Sequence, residues 1–420
     1  MDKLMQEIEA REDEIVALTR DLIRIPTLNP PGLHYRDVCA LVGERLGARG
    51  WRVEMIRAEG APGDSTEHPR WNVVCRLEGA GPGETVHFNG HHDVVAVGAG
   101  WTRDPFGGEV AEDRVWGRGA CDMKGGLATS IVAAEAFADL VPGFRGAIEV
   151  SATADEESGG YGGVAHLAQV GRFAHVDHVV IPEPLNKDRI CLGHRGVWWA
   201  EIETKGRIAH GSMPFLGDCA VRHMGAVLEE MERTLFPLLA TKRTDMPVVP
   251  EGARQSTLNI NAVHGGEPVQ DAGYTGLPSA CVPDRCVLTI DRRFLIEEDI
   301  AEVKREVTAM MERVRETRPD FRYEIRDLFE VLPTMTPEDA PIVRVVEDAV
   351  QAVMGRSAAF VVSPGTYDQK HIDRIGRLKN CIAYGPGILD LAHQPDEWIG
   401  IDDMVDSGKV MALALHQLLA

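Results

Sequence analysis

The chain has 420 residues, 44% hydrophobic and 26% charged, with 44 Lys plus Arg against 65 Asp plus Glu and a formal charge of -21. That length is more than one core usually serves, so two domains are expected, and the acidic excess excludes nucleic acid and anionic membrane surfaces as partners. No apolar run approaches a membrane span, and the charged start Met-Asp-Lys-Leu-Met-Gln-Glu does not read as a signal peptide, so a cytoplasmic protein is expected.

In chain order, apolar residues at helical spacing predict a helix over 2–24, which Pro26 and Asn29-Pro30-Pro31-Gly32 end, and a second helix over 35–49. Strands follow at 52–57, 71–77 and 85–93, then a helix at 124–140, a strand at 147–153, a helix at 162–170 and a strand at 178–182. This alternation predicts an α/β domain with a central mixed sheet flanked by helices. Beyond Glu183 the pattern becomes strand 197–204, helix 219–239, strands 257–263 and 285–294, helix 298–316 and strand 322–328. That order is β-α-β-β-α-β, a ferredoxin-like insert. The first pattern then returns, with a helix at 341–354, strands at 359–362 and 380–384, and a helix at 402–419. The expected division is 1–194 and 329–420 for the first domain and 195–328 for the insert. The eight cysteines are scattered without a C-x-x-C pair and read as reduced thiols.

The polar motifs sit just past strand ends, where open α/β sheets place their sites. His91 and Asp93 in G-H-H-D-V-V are two apart, so on a strand they share a face: His91 can bind a metal and Asp93 can hold a ring N–H. A histidine loop with no ligand is the plain alternative. Asp122, in G-R-G-A-C-D-M-K-G-G, is a helix cap or a bridging carboxylate. Asp155-Glu156-Glu157 is a solvated acidic turn, or a ligand and a base side by side. Glu183 lies between Pro182 and Pro184, and His393 lies in the loop A-H-Q-P-D-E. His91 and His393 with Asp122, Glu156, Glu157 and Glu183 supply two histidines and four carboxylates, enough for two divalent ions sharing one carboxylate: zinc first, with cobalt or manganese as alternatives.

The arrangement resembles the dinuclear metallopeptidase family of acetylornithine deacetylase, succinyl-diaminopimelate desuccinylase, aminoacylase and glutamate carboxypeptidase. The likeness runs from L-I-R-I-P-T-L-N-P-P-G through G-H-H-D-V-V, W-T-R-D-P-F-G-G, V-W-G-R-G-A-C-D-M-K-G-G, D-E-E-S-G-G and G-R-I-A-H-G-S-M-P to Y-G-P-G and A-H-Q-P-D-E, the last most similar to the acetylornithine deacetylase branch. The resemblance implies that His91, Asp122 and Glu183 hold one metal and Asp122, Glu157 and His393 the other. It also implies Asp93 as the supporting aspartate, Glu156 as the general base, a cis peptide after Asp122, and His210 offered across a homodimer formed by the insert. For the substrate carboxylate it points to Arg293 in D-R-R and to the Gly365-Thr366 loop, with Tyr367 intruding before Asp368. Ser279-Ala280 stand where many relatives carry an asparagine. The activity implied is hydrolysis of a C–N bond in a small carboxylate-bearing molecule, most simply an N-acyl amino acid. The alternatives are a carboxypeptidase or dipeptidase, or an aminohydrolase releasing ammonia from an aromatic amino acid-type substrate.

Overall fold

Strands alternating with helices fold as the sequence predicts, and the computed structural model describes residues 1–266, 280–318 and 320–420. Ser279 lies outside the described residues. Two units are distinct. The first comprises Met1–Gly193, Met335–Val361 and Tyr367–Ala420, and the second His194–Thr334 with Val362–Thr366.

The first unit is built on a mixed sheet whose central strands lie in the order Arg52–Arg57, Trp71–Glu78, Ala147–Thr153, Thr85–His91, His178–Ile181, Cys381–Ala383 and Arg189–His194. Thr85–His91 is parallel to both of its neighbours. One face of this sheet is apolar: Val86 and Phe88 alternate out of one strand, and Ile148, Val150 and Ala152 out of the next. They pack into a core with helix Gly125–Leu140, and the C-terminal helix Ile401–Leu419 packs on that helix. Each of these valine, isoleucine and phenylalanine side chains, fully buried, contributes about 1.5–3 kcal/mol.

The opposite face of the same two strands is polar and also buried. His87 pairs with Glu149, Asn89 with Ser151 and His91 with Thr153 across the parallel register. The side chains form a chain of hydrogen bonds: His175 Nε2 to Glu149 at 2.8 Å, Glu149 to His87 Nδ1 at 2.9 Å, His87 Nε2 to Ser151 Oγ at 2.7 Å, and Ser151 Oγ to Asn89 Oδ1 at 2.8 Å. Asn89 Nδ2 then donates to Asp368 Oδ2 at 2.9 Å. Burial disfavours the charge on Glu149, but hydrogen bonds from His87, His175 and Arg76 outweigh it and hold its pKa well below the usual carboxylate value.

Some predicted elements shift. The first helix is two, Asp2–Ala10 and Glu12–Ile23, because Arg11 leaves helical geometry at φ -100 and ψ 14. Its side chain instead pairs with Glu7 and Asp139. The strand expected over 85–93 ends at His91, so Asp93 is not on it. The strand Arg189–His194 and the short helix Gln369–Arg374 are elements that the sequence pattern did not reveal.

The second unit has a four-stranded antiparallel sheet in the order Thr257–Gly265, Arg285–Phe294, Gly196–Lys205, Arg322–Val331. Helix Ala220–Glu230 and helix Ile300–Thr317 bury Met224, Val227, Val303, Val307 and Met310 against Ala200, Ile202, Leu288 and Ile290. This is the ferredoxin-like β-α-β-β-α-β arrangement. Asp299 caps the second helix by accepting from the N–H groups of Ala301 and Glu302. No described helix is long and apolar enough to cross a membrane.

Candidate metal centre

His91 ends its strand with its ring buried. Nε2 lies 3.1 Å from Asp122 Oδ1 and 3.9 Å from Glu183 Oε1. Its other nitrogen, Nδ1, faces the carbonyl oxygen of Asp93 at 3.0 Å, with the Asp93 carboxylate farther off at 3.5 Å. The sequence predicts the Asp93 carboxylate at this ring N–H or a nearby one. Because the strand stops at His91, the chain turns and brings the backbone oxygen closer. The carboxylate of Asp93 turns elsewhere, accepting from Asn29 Nδ2 at 2.8 Å and from the backbone N–H groups of Glu156 and Glu157 at 3.1 and 3.2 Å. Asp93 therefore fixes the acidic turn as well as standing behind His91.

Asp122 sits in the turn Ala120–Lys124, ahead of helix Gly125–Leu140, with φ -119, ψ 96 and a cis peptide to Met123. The N–H groups of Cys121 and Asp122 both donate to Glu397 Oε1, at 2.9 and 3.0 Å, and Arg118 pairs with Glu397 Oε2 at 2.6 Å. This clamp leaves the Asp122 side chain facing two ways: Oδ1 meets His91, and Oδ2 lies 3.4 Å from His393 Nε2. His393 has left-handed backbone, φ 65, and its carbonyl oxygen accepts from Arg118. Its Nε2 also reaches Glu157 Oε2 at 3.0 Å.

Two donor trios result, His91–Asp122–Glu183 and Asp122–Glu157–His393, each with its ligand atoms within 4.8 Å of one another and both using Asp122. The electrostatics match that donor set. Burial and the Asp122 charge push Glu157 up to about 8 and Glu183 well above the carboxylate range. Hydrogen bonds to Asp122 and Glu157 raise His393 to about 11. Burial disfavours ionised Asp122, yet the hydrogen bonds of His393 and His91 keep its pKa low. Such crowding of buried carboxylates is relieved by cations, and imidazole with carboxylate oxygen suits divalent ions such as zinc, so the residues fit two metal ions.

Glu156 is beside this centre, 11% exposed at its side chain, with Oε1 accepting from Lys370 Nζ at 3.0 Å. His92 faces away: Nε2 meets the carbonyl of Trp71, and the ring sits edge-on to Tyr35. Three residues of the surrounding scaffold escaped the sequence reading as site residues: Asn29, Arg118 and Glu397. Each had a signal in its place within a quoted motif: Asn29 in L-N-P-P-G, Arg118 in G-R-G-A-C-D and Glu397 in A-H-Q-P-D-E.

The remaining predicted residues belong to the second unit. His210 is exposed, its Nδ1 accepting from the Ser212 hydroxyl at 2.7 Å. Arg293 is half-buried and forms a two-point pair with Asp291 on its own strand, at 2.7 and 3.0 Å. Gly365 N–H donates to Ser363 Oγ, and Arg195 holds the neighbouring Pro364 carbonyl. Tyr367, by contrast, is buried in the first unit, its hydroxyl donating to Gln369 Oε1 at 2.6 Å.

Residues 87–417, which carry both donor trios, match Peptidase family M20/M25/M40. The chain belongs to that family. As a member it is an enzyme, a metal-dependent amidohydrolase. The succinyl-diaminopimelate desuccinylase of Paracoccus denitrificans is 28% identical over 416 residues, covering 96% of this chain and 98% of that protein. Human carnosine dipeptidase 1 shares the fold with a TM-score of 0.76 at 20% identity, over 99% of this chain and 98% of that one. Sso-CP2, an M20 family metallo-carboxypeptidase from Sulfolobus solfataricus, does so with a TM-score of 0.75 at 18% identity, over 96% and 98%. At these identities the two structures speak for the fold.

Proposed function

We propose that the protein is an N-acyl amino acid deacylase: a two-metal enzyme that hydrolyses the amide of a small carboxylate-bearing substrate to a free acid and an amine. The observation that carries this reading is Asp122, one carboxylate turned by the Glu397 clamp toward two histidine-and-glutamate sets at once. His91, Asp122 and Glu183 would hold one divalent ion and Asp122, Glu157 and His393 the other, with zinc first and cobalt or manganese as alternatives. Bound there, such ions polarise a carbonyl and acidify water.

The chain's own residues supply the rest. Glu156 takes a proton from the attacking water as the oxygen bonds to the amide carbon. The same carboxyl then gives the proton to the leaving nitrogen as the C–N bond breaks, so acid, amine and base are all accounted for. Asp93 holds the turn that carries Glu156, through the backbone N–H of Glu156 itself. We assign a partner-subunit role to His210 in a cytoplasmic homodimer, donating to the developing oxyanion, and a substrate-carboxylate role to Arg293 with Gly365 and Thr366. The similarity to the desuccinylase of Paracoccus denitrificans supports the deacylase reading, since a desuccinylase removes an acyl group. The likeness to human carnosine dipeptidase 1 and to the metallo-carboxypeptidase Sso-CP2 favours the second reading, peptide hydrolysis.

The test is a panel of N-succinyl and N-acetyl amino acids, dipeptides and aminobenzoates, read by free amine or ammonia. Activity on the acylated amino acids is expected, abolished by chelation and restored by Zn²⁺, Co²⁺ or Mn²⁺. Glu156→Gln should lower kcat by at least about 10²-fold with metal retained. Turnover of dipeptides alone would replace the deacylase reading with the second one. Release of ammonia alone would favour the aminohydrolase.

A further inference from the structure

Resting on the reading of Glu156 as the base, we propose that Lys370 is its positioning residue: it pins one oxygen of the carboxylate and leaves the other for proton transfer. Lys370 is 3% exposed, and its Nζ donates to Glu156 Oε1 at 3.0 Å. Among the described residues no donor is recorded for Oε2, so the two oxygens are unequal. A glutamate with two unconstrained terminal torsions would swing among many orientations. A charge-assisted hydrogen bond to one oxygen selects among them.

Lys370 is itself held. It lies in helix Gln369–Arg374, and this helix meets the turn bearing Glu156 at successive points. Lys370 meets the Glu156 carboxylate, and His371 Nε2 meets the Gly159 carbonyl at 2.7 Å. Asp368, just before the helix, lies so close to Gly160 that a Cβ there would come within 2.9 Å of its Oδ1. Asp368 in turn is tied to the sheet, its Oδ2 accepting from Asn89 at 2.9 Å and Thr153 at 3.4 Å. The polar face of the sheet thus anchors the helix, and the helix presents one ammonium to one carboxylate oxygen. Burial of a lysine demands such a counter-charge. A purely structural cation would be served equally by either oxygen and by any nearby acid.

The experiment compares Lys370→Met, Lys370→Arg, Glu156→Gln and the Glu156→Gln/Lys370→Met double variant, each with kcat, KM, melting temperature and metal per chain. Lys370→Met is expected to lose about 10- to 100-fold in kcat, with KM within about threefold and both metals kept. Lys370→Arg, which keeps a charged donor, should recover much of that loss. The double variant should be no slower than Glu156→Gln, because a residue acting through Glu156 has nothing left to position. Wild-type kcat in Lys370→Met, a rise in KM alone, or loss of metal would overturn the proposal. If Lys370→Met does not fold, Lys370→Gln is judged by the same split. Failure of the underlying reading looks different: Glu156→Gln itself would then turn over at the wild-type rate.

Discussion

One amide group, on Asn29, reaches three acceptors far along the chain from it: Asp93 at 2.8 Å, Ser158 Oγ at 2.9 Å and Asp155 at 3.3 Å. Asn29→Ala removes the donor and leaves buried acceptors short, which should cost about 1–3 kcal/mol in denaturant unfolding. Because Asp93 orders the turn of Glu156 and Glu157, the same change should weaken metal affinity about 10- to 100-fold, measured by competition with a chelating dye. Arg118→Met is more severe. It strands Glu397, a fully buried carboxylate paired with an arginine 2% exposed, at a cost of about 3–5 kcal/mol. The residues that meet in the two trios were legible because each sits in a motif: His91, Glu157 and Glu183 at or just past strand ends, Asp122 before a helix and His393 in a loop. Asn29 and Arg118 lie in quoted motifs and Lys370 in none, but the role of each comes from a partner brought from far along the chain, which spacing within a motif does not reveal.

At the scale of elements, helix Gly125–Leu140 begins so close to the strand end carrying Glu183 that only glycine fits at its second position. A Cβ on Gly126 would lie 1.9 Å from the Pro182 carbonyl oxygen. Gly126→Ala must therefore move either the helix or the Pro182–Glu183 backbone, typically at about 1–3 kcal/mol for an overpacked contact. We expect lower metal occupancy in that variant, read as metal per chain by elemental analysis. A wild-type content with a normal melting temperature would show that the backbone yields freely there. The long elements followed from their hydrophobic period, because burial of one face imposes it. Arg189–His194 escaped because sheet pairing, not its own pattern, makes it a strand. Gln369–Arg374 is too short to show a helical period at all. The break at Arg11 carries no proline or glycine, and only the ion pairs to Glu7 and Asp139 distinguish it.

For the whole molecule, the decisive trial is complementation. His210 and Glu156 belong to different units, and the proposed homodimer gives each active site a His210 from the other subunit. Glu156→Gln and His210→Ala chains should each be nearly inactive, yet co-expressed they should recover activity in the mixed dimer, where one site keeps both residues. Absence of recovery, with mixed dimers shown by mass, would place His210 in its own chain's chemistry or outside it. The second unit takes up the stretch where strand-helix alternation gives way to β-α-β-β-α-β. Val362–Thr366 also belongs to the second unit, and five residues carry no pattern of their own.

The first unit is assembled from segments on both sides of the second, and this orders events during synthesis. His91, Asp122 and Glu183 all precede the second unit, whereas His393 follows it. A growing chain thus holds one full trio while the other still lacks its histidine. Since ligand binding and folding are linked, and N-terminal parts fold first on the ribosome, the two ions would enter at different moments in the protein's life. The Glu397 clamp that turns Asp122 toward both trios also lies beyond the second unit, so the carboxylate is set between them only after that unit has been made.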